Sequence, residues 1–395
     1  MKLTKLFILV FGFVFILSSC NDSAKNESKE AVAAQKSESK PVKRKKVKTP
    51  RFPSPAAELE QTVGLSTITI NYSRPSVISP QGVDRTGKIW GGLVPYDFNA
   101  RPVSSKGKPI PWRAGANENT TIEISNDAMI EGKPIKAGKY GLFIAVHEES
   151  GATIIFSNRS NSWGSFSYDE KDDALRLEIN TTEIPNTERL NYSVPEQGKT
   201  YATIALDWEK KRFSFKVAFD VHGMVIADFQ TYLSDTTGLS WKDYHKAAEY
   251  CASNKVNLDE GMQWIEKAIA LEESYKTLST KSELLIAMNK NEEAEQVKNT
   301  ALELTSTTAK NYYSYGAALI KAGQPEKAME IFNQQNEKWA DEWITAHGLA
   351  RGYSAIGDYA TALKYEKEAL TKAPEVNKGY IESAILLLEQ GKDFN

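Results

Sequence analysis

Four positions in the second half of the chain recur at one interval: Asn289, Gly323, Gly357 and Gly391 are each 34 residues apart. Ala294, Ala328 and Ala362 keep the same spacing, and Gly261 stands 33 before Ala294 as an earlier, looser copy. A fixed period of this length restricts the fold more than composition does. Each copy must be one small supersecondary unit that buries its apolar face only by stacking on its neighbours. The best copy runs from Asp341 to Pro374. In it, Ala346, Leu349, Ala350 and Tyr353 share one face of a first helix, and Gly357-Asp358-Tyr359 makes the turn. Ala362 and Ala369 lie on the second helix, and Pro374 closes the unit. Gly316, Ala328, Ala350 and Ala362 are small enough to let helices approach closely, and a last helix over 379–390 caps the stack.

These units resemble the tetratricopeptide repeat, a helical hairpin of this length. The resemblance implies an α-solenoid over residues 221–395 whose inner face is lined mainly by first helices. In that register Lys310, Tyr313, Ile344, His347 and Arg351 point into the groove. A basic and aromatic groove suits an extended or helical peptide with an acidic end, so a protein or peptide partner is expected. The bland alternative is an array that only spaces or stiffens, because a fold does not fix a function.

Before Asp220 the period is two, not helical. Leu65 to Tyr72 alternates apolar and polar residues, and so do 120–125, 140–147, 153–157, 174–179, 202–208 and 212–219. Glu131-Gly132-Lys133-Pro134 and Glu148-Glu149-Ser150-Gly151 are turn signals between them, and Lys210-Lys211 is expected to join the last two strands as a tight hairpin. Short strands without intervening helices predict an antiparallel sandwich or barrel-like domain over residues 52–220. The whole is therefore a multidomain β + α chain.

Several pieces of this region follow one another in a familiar order. They include Tyr72-Ser73-Arg74-Pro75-Ser76, Gly91-Gly92-Leu93-Val94-Pro95-Tyr96, Trp112-Arg113-Ala114-Gly115-Ala116-Asn117-Glu118-Asn119, Gly138-Lys139-Tyr140-Gly141-Leu142-Phe143, Trp163-Gly164-Ser165-Phe166 and Leu206-Asp207-Trp208-Glu209. With them the stretch resembles the domain of unknown function 2911, found in exported bacterial proteins. The resemblance implies a fold type and an exported setting, not an activity. Asp97 to Pro111 is an insertion against that pattern, polar, with Pro102, Gly107 and Pro109, and it adjoins the most polar motif of the domain. In that motif Arg113, Asn117, Glu118 and Asn119 lie within seven residues, with Arg74 on another matching piece. Such a set can hold a carboxylate, a phosphate or sugar hydroxyls, with Trp112 or Trp163 as a stacking wall. A small molecule or glycan is thus the second candidate ligand, with hydrolysis as its extreme form. The opposing reading is structural: Arg113 pairs with Glu118 and the asparagines satisfy turn backbone.

The N-terminus sets the expected compartment. Lys2 and Lys5 precede a short apolar run from Leu6 to Leu17, and Leu17-Ser18-Ser19-Cys20 resembles a bacterial lipobox. Residues 1–19 then form a lipoprotein signal peptide, Cys20 carries the lipid that ties the protein to an envelope membrane, and residues 20–51 are a polar tether. The tether's Lys43-Arg44-Lys45-Lys46 run fits a solvated spacer better than a specific lipid site. A formal net charge of −2 argues against nucleic acid as a partner. With Cys20 lipidated, Cys251 has no disulfide partner, and its Ala- and Tyr-flanked context predicts a buried thiol. The four histidines have no metal-ligand spacing, and no nucleophile elbow, phosphate loop or dinucleotide fingerprint is present. The acidic run Asp169, Glu170, Asp172, Asp173 lacks the calcium-loop pattern and reads as a solvated turn. No catalytic residue, metal or cofactor is assigned, and the leading expectation is a non-catalytic interaction module.

Overall fold

The computed structural model describes residues 53–99 and 109–395. The expected signal peptide, Cys20, the expected tether and the middle of the insertion lie outside the described residues.

The alternating segments form two antiparallel sheets. The larger contains β1 (Ala56–Val63), β2 (Ser66–Ser73), β3 (Thr120–Ile124), β6 (Gly138–Val146), β7 (Ala152–Ser157) and β8 (Asp173–Ile179), hydrogen-bonded in that order. The smaller has β4 (Ala128–Ile130) and β5 (Lys133–Ile135) with β9 (Thr181–Gln197) and β10 (Tyr201–Phe219), in the order β5-β4-β10-β9. One core joins the two: Ile68, Ile122, Leu142 and Phe156 from the larger sheet meet Trp208, Phe213, Phe215 and Val217 from the smaller. The β2 isoleucines are buried while Thr67, Thr69 and Asn71 between them are half-buried, as a half-covered sheet requires. β6 and β7 are buried on both faces, because Phe143, Ile155 and Tyr168 on the outer side are covered by Phe98 and Ile110 from the two ends of the insertion.

Two expectations for this half need correction. Lys210-Lys211 is no hairpin. β10 continues through it for 19 residues beside β9, and register shifts around Glu209 bend the strand instead of reversing it. Glu209 itself has φ of 53°. β9 carries Pro185 and Pro195, which hide a strand from pattern reading. It lies at the sheet edge, where a missing N–H costs no ladder bond. The expected turn at Glu131-Gly132 has φ of 46° and 78° and closes a hairpin between two short strands, β4 and β5, that the alternation does not mark. The acidic run forms a one-turn helix, Glu170–Asp172, capped by Asp169, with Asp172 on Arg159 and Asp173 on Arg176.

After β10, the Asp220 side chain accepts from Gly223 N–H and starts α1 (Val221–Asp235). Four hairpins follow. They pair α2 (Trp241–Asn254) with α3 (Leu258–Leu271), α4 (Tyr275–Ala287) with α5 (Asn291–Glu303), α6 (Ala309–Lys321) with α7 (Pro325–Trp339) and α8 (Trp343–Ala355) with α9 (Tyr359–Lys372). Pro374 starts α10 (Glu375–Glu389), which begins earlier than the sequence suggested.

The 34-residue period has a conformational cause. Asn289, Gly323, Gly357 and Gly391 all have left-handed backbone, with φ between 63° and 85°. Each follows a first helix and closes it with the same pair of bonds, for example Gly357 N–H to Ser354 O and Asp358 N–H to Tyr353 O. Only residues that tolerate this region recur at that position. Within and between the hairpins, Gly316, Gly348 and Gly352 all lie against Phe332, so no side chain larger than hydrogen fits there without displacement. Cys251 is fully buried in the core of the first hairpin, and burial pushes its thiol up to about 11.

Candidate functional site

The β domain holds a cavity of about 420 Å³ at one end. Its position follows from β6, which runs past the start of β3. There Trp112 takes β3's place, exchanging hydrogen bonds of 2.9 and 2.8 Å with Ile144, and Tyr96 bridges to Val146. The insertion therefore leaves and re-enters the fold on one strand, and residues at both its ends, Asn99 and Ile110, line the cavity. Trp112 stacks nearly parallel on Trp208, with centroids 5.9 Å apart at 23°, and Trp90 stands edge-on to both. Prolines 53, 75, 80, 95 and 111 form much of the wall.

A buried carboxylate underlies this aromatic group. Glu209, 4% exposed, accepts from Trp90 Nε1–H at 3.0 Å, Gly87 N–H at 3.1 Å and Lys210 N–H at 2.8 Å. The bulge in β10 turns Glu209 toward them. Sequence reading missed this residue, since a charged residue after Trp208 looks like an ordinary outward position.

Of the ligand set expected from the sequence, Trp112 and Arg113 line the cavity, and Arg74, Asn117, Glu118 and Trp163 do not. Arg74 donates from Nε to Leu190 O at 2.9 Å and so pins β9. Asn117, with φ of 62°, donates to Ser54 O, while its own carbonyl accepts from Arg113 Nη1 at 2.8 Å. Glu118 and Trp163 are exposed. The residues that sequence reading passed over are Arg85, Ser165, Phe166 and Trp208. Among the described residues no carboxylate lines the cavity. No group of ligands suited to a metal ion occurs among the described residues.

The helical groove differs from the expected open surface. Tyr313 on α6 and Arg351 on α8 do meet, Arg351 Nη1 donating to Tyr313 OH at 3.0 Å. His347 does not face a free groove. It is 1% exposed, its Nδ1 lies 2.8 Å from Glu366, and burial holds the Glu366 carboxyl above its usual value, with His347 opposing. Ile344 is half-buried at the start of α8, and Lys310 is exposed one turn before Tyr313.

The reason the groove is not open is the chain itself. The left-handed turn at Gly391 sends residues 392–395 back against α8. Ser354 Oγ donates to Asp393 at 2.6 Å and accepts from Phe394 N–H. The Phe394 ring lies over His347 at 5.9 Å, and Asn395 makes a two-way pair with Arg351, accepting from Nε at 2.8 Å and donating to its carbonyl at 3.0 Å. Ser354, Glu366, the 393–395 segment and Tyr380 on α10, whose ring stands edge-on to His347 at 5.4 Å, were missed by sequence reading. The one available signal was Gly391 itself, the fourth member of the periodic series.

Residues 54–217 match the profile of a family described as protein of unknown function (DUF2911). The β domain is a DUF2911 domain. The helical part is similar to solved tetratricopeptide structures. One is YrrB, "a TPR protein with an unusual peptide-binding site", at 15% identity over 42% of this chain and 85% of that one, TM-score 0.27. Another is a repeat protein from Parabacteroides merdae, at 17% identity over 43% and 66%, TM-score 0.31. A third is TTC0263 from Thermus thermophilus, at 18% identity over 42% and 92%, TM-score 0.30. No curated protein sequence matches the chain. The repeat assignment itself stands on the periodic left-handed turns and paired helices described above. The molecule is thus a DUF2911 β domain followed by a tetratricopeptide-like α-solenoid. No helix among the described residues is long and apolar enough to cross a membrane.

Proposed function

We propose that this is a lipid-anchored envelope scaffold whose solenoid captures a peptide on the face formed by α6, α8 and α10. The observation that carries the reading is the segment 393–395 held on that face. Ser354 and Arg351 read its backbone and its Asp and Asn side chains, and His347 backs its aromatic ring. A face that holds Asp-Phe-Asn of its own chain has the chemistry to hold an acidic-aromatic-amide peptide of a partner. The DUF2911 domain then serves as the body through which the Cys20 tether presents the solenoid.

The test uses a fluorescent peptide, Gly-Lys-Asp-Phe-Asn, and a variant lacking residues 392–395. Freed of its internal competitor, the variant should bind the peptide about tenfold or more tighter than the full chain, the factor set by an occupied fraction near nine-tenths. The Phe→Ala peptide should not bind. Absence of saturable binding to the shortened variant, with its thermal midpoint retained, overturns the proposal. For the anchor, labelled palmitate should enter the wild type and not Cys20→Ser; equal labelling rejects it.

A further inference from the structure

The groove accounts for nothing in the DUF2911 cavity, which is built as a binding site in its own right. Its wall is rigid: proline fixes φ and has no N–H to satisfy, so five prolines around one space make a preformed hollow. About 420 Å³ is the scale of a small-molecule site. The floor is aromatic, from the stacked Trp112 and Trp208. Trp208 is 1% exposed, and its indole N–H has no partner among the described residues. Phe166 and Leu93, 47% and 38% exposed, add apolar surface to the lining.

Charge supplies the sign of the ligand. The ionisable side chains on the lining, among the described residues, are Arg85 and Arg113, with no Asp, Glu, Lys or His. Both guanidinium groups are fixed in part by main-chain carbonyls. Arg85 donates from Nε to Val77 O at 2.9 Å and from Nη2 to Ser76 O at 2.5 Å, and Arg113 from Nη1 to Asn117 O at 2.8 Å. Gly164 packs close to the same guanidinium: a Cβ there would lie 2.7 Å from Nη1. Two arginines on the lining of an apolar hollow match a planar body carrying one anionic group. We propose that the DUF2911 cavity binds a small organic anion with a flat apolar ring system. The ring lies against Trp112 and Phe166, and the carboxylate, sulfonate or phosphate faces Arg85 and Arg113.

The experiment uses the full chain and two probes of one shape, naphthalene-2-sulfonate and neutral 2-naphthalenemethanol, by calorimetry and tryptophan fluorescence. The sulfonate should bind one to one and about tenfold or more tighter than the alcohol, the gain of one charge-assisted pair. Arg85→Gln and Arg113→Gln should each remove most of that difference while leaving the alcohol's affinity unchanged. Should either arginine variant fail to fold, Ala116→Trp, which fills the hollow from its wall, should abolish binding of both probes at an unchanged thermal midpoint. Naphthalene-2-carboxylate and 2-naphthyl phosphate rank the head groups. Equal affinity for the two probes overturns the proposal. So does sulfonate binding that survives Ala116→Trp, or a neutral disaccharide such as maltose binding more tightly than any anion.

Discussion

Replacing Glu209 separates two costs that the fold combines at one residue. In Glu209→Ala the half-buried Trp90 indole N–H loses a charged acceptor, and bonds of that kind are worth about 1.5–3 kcal/mol each. Gly87 and Lys210 are exposed and regain water, so their amides add only about 0.5 kcal/mol apiece. The expected loss is about 3 kcal/mol. The backbone at Glu209, with φ of 53°, strains any side chain by about 1 kcal/mol, a strain that Ala keeps and Gly relieves. Glu209→Gly should therefore be about 1 kcal/mol more stable than Glu209→Ala, although it has less side chain. Glu209→Gln, which keeps one acceptor oxygen, should lose about 1–2 kcal/mol. Urea titration followed by near-ultraviolet circular dichroism reads this, because the stacked Trp112 and Trp208 give the β domain its own aromatic signal. Equal midpoints for the Ala and Gly variants would refute the strained bulge. A loss under about 1 kcal/mol for Ala would refute the role of the carboxylate in holding the Trp90 group.

Three further outcomes follow from the same geometry. The hydrogen bond to Asp97 raises the pKa of His147, and Glu178 adds to it against burial; stability from this cluster is complete below the unfolded histidine value near 6.5 and is lost as pH rises through the raised native value, so the thermal midpoint should fall across that window in the wild type and stay flatter in His147→Gln. Gly316→Ala would place a Cβ 2.4 Å from the buried Phe332 ring, and overpacking should outweigh the helix-propensity gain by about 1 kcal/mol, read as an earlier urea midpoint of the helical circular dichroism signal. Cys251 should resist a thiol reagent in the folded protein and react at once in denaturant; rapid native labelling would contradict its burial and its thiol pushed up to about 11.

The candidate sites were legible only in part. Trp112 and Arg113 are visible as a polar motif beside an insertion, and the structure puts both on the cavity. Arg85 and Trp208 are not, because they come from 27 residues earlier and 96 residues later than Trp112 in the chain. In the groove, register alone brought Tyr313 and Arg351 to one face. The same register placed His347 beside them without revealing that Glu366 and Phe394 enclose it. β9 escaped notice because its two prolines and broken alternation violate the strand pattern that an edge position relaxes.

The sequence by itself determined the features whose cause is local. At the ends of α4, α6, α8 and α10 the left-handed residue is Asn or Gly, so the 34-residue spacing marks those ends. A half-covered strand must alternate, so most of the sheet can be read directly. Tertiary structure alone decided where distant segments converge: Glu209 on Trp90, 119 residues apart, and Asp393 on Ser354, 39 apart. Such meetings depend on how a bulge bends a strand and how one turn redirects the chain. These small rotations act over long distances, and the alternation of neighbouring residues does not encode them.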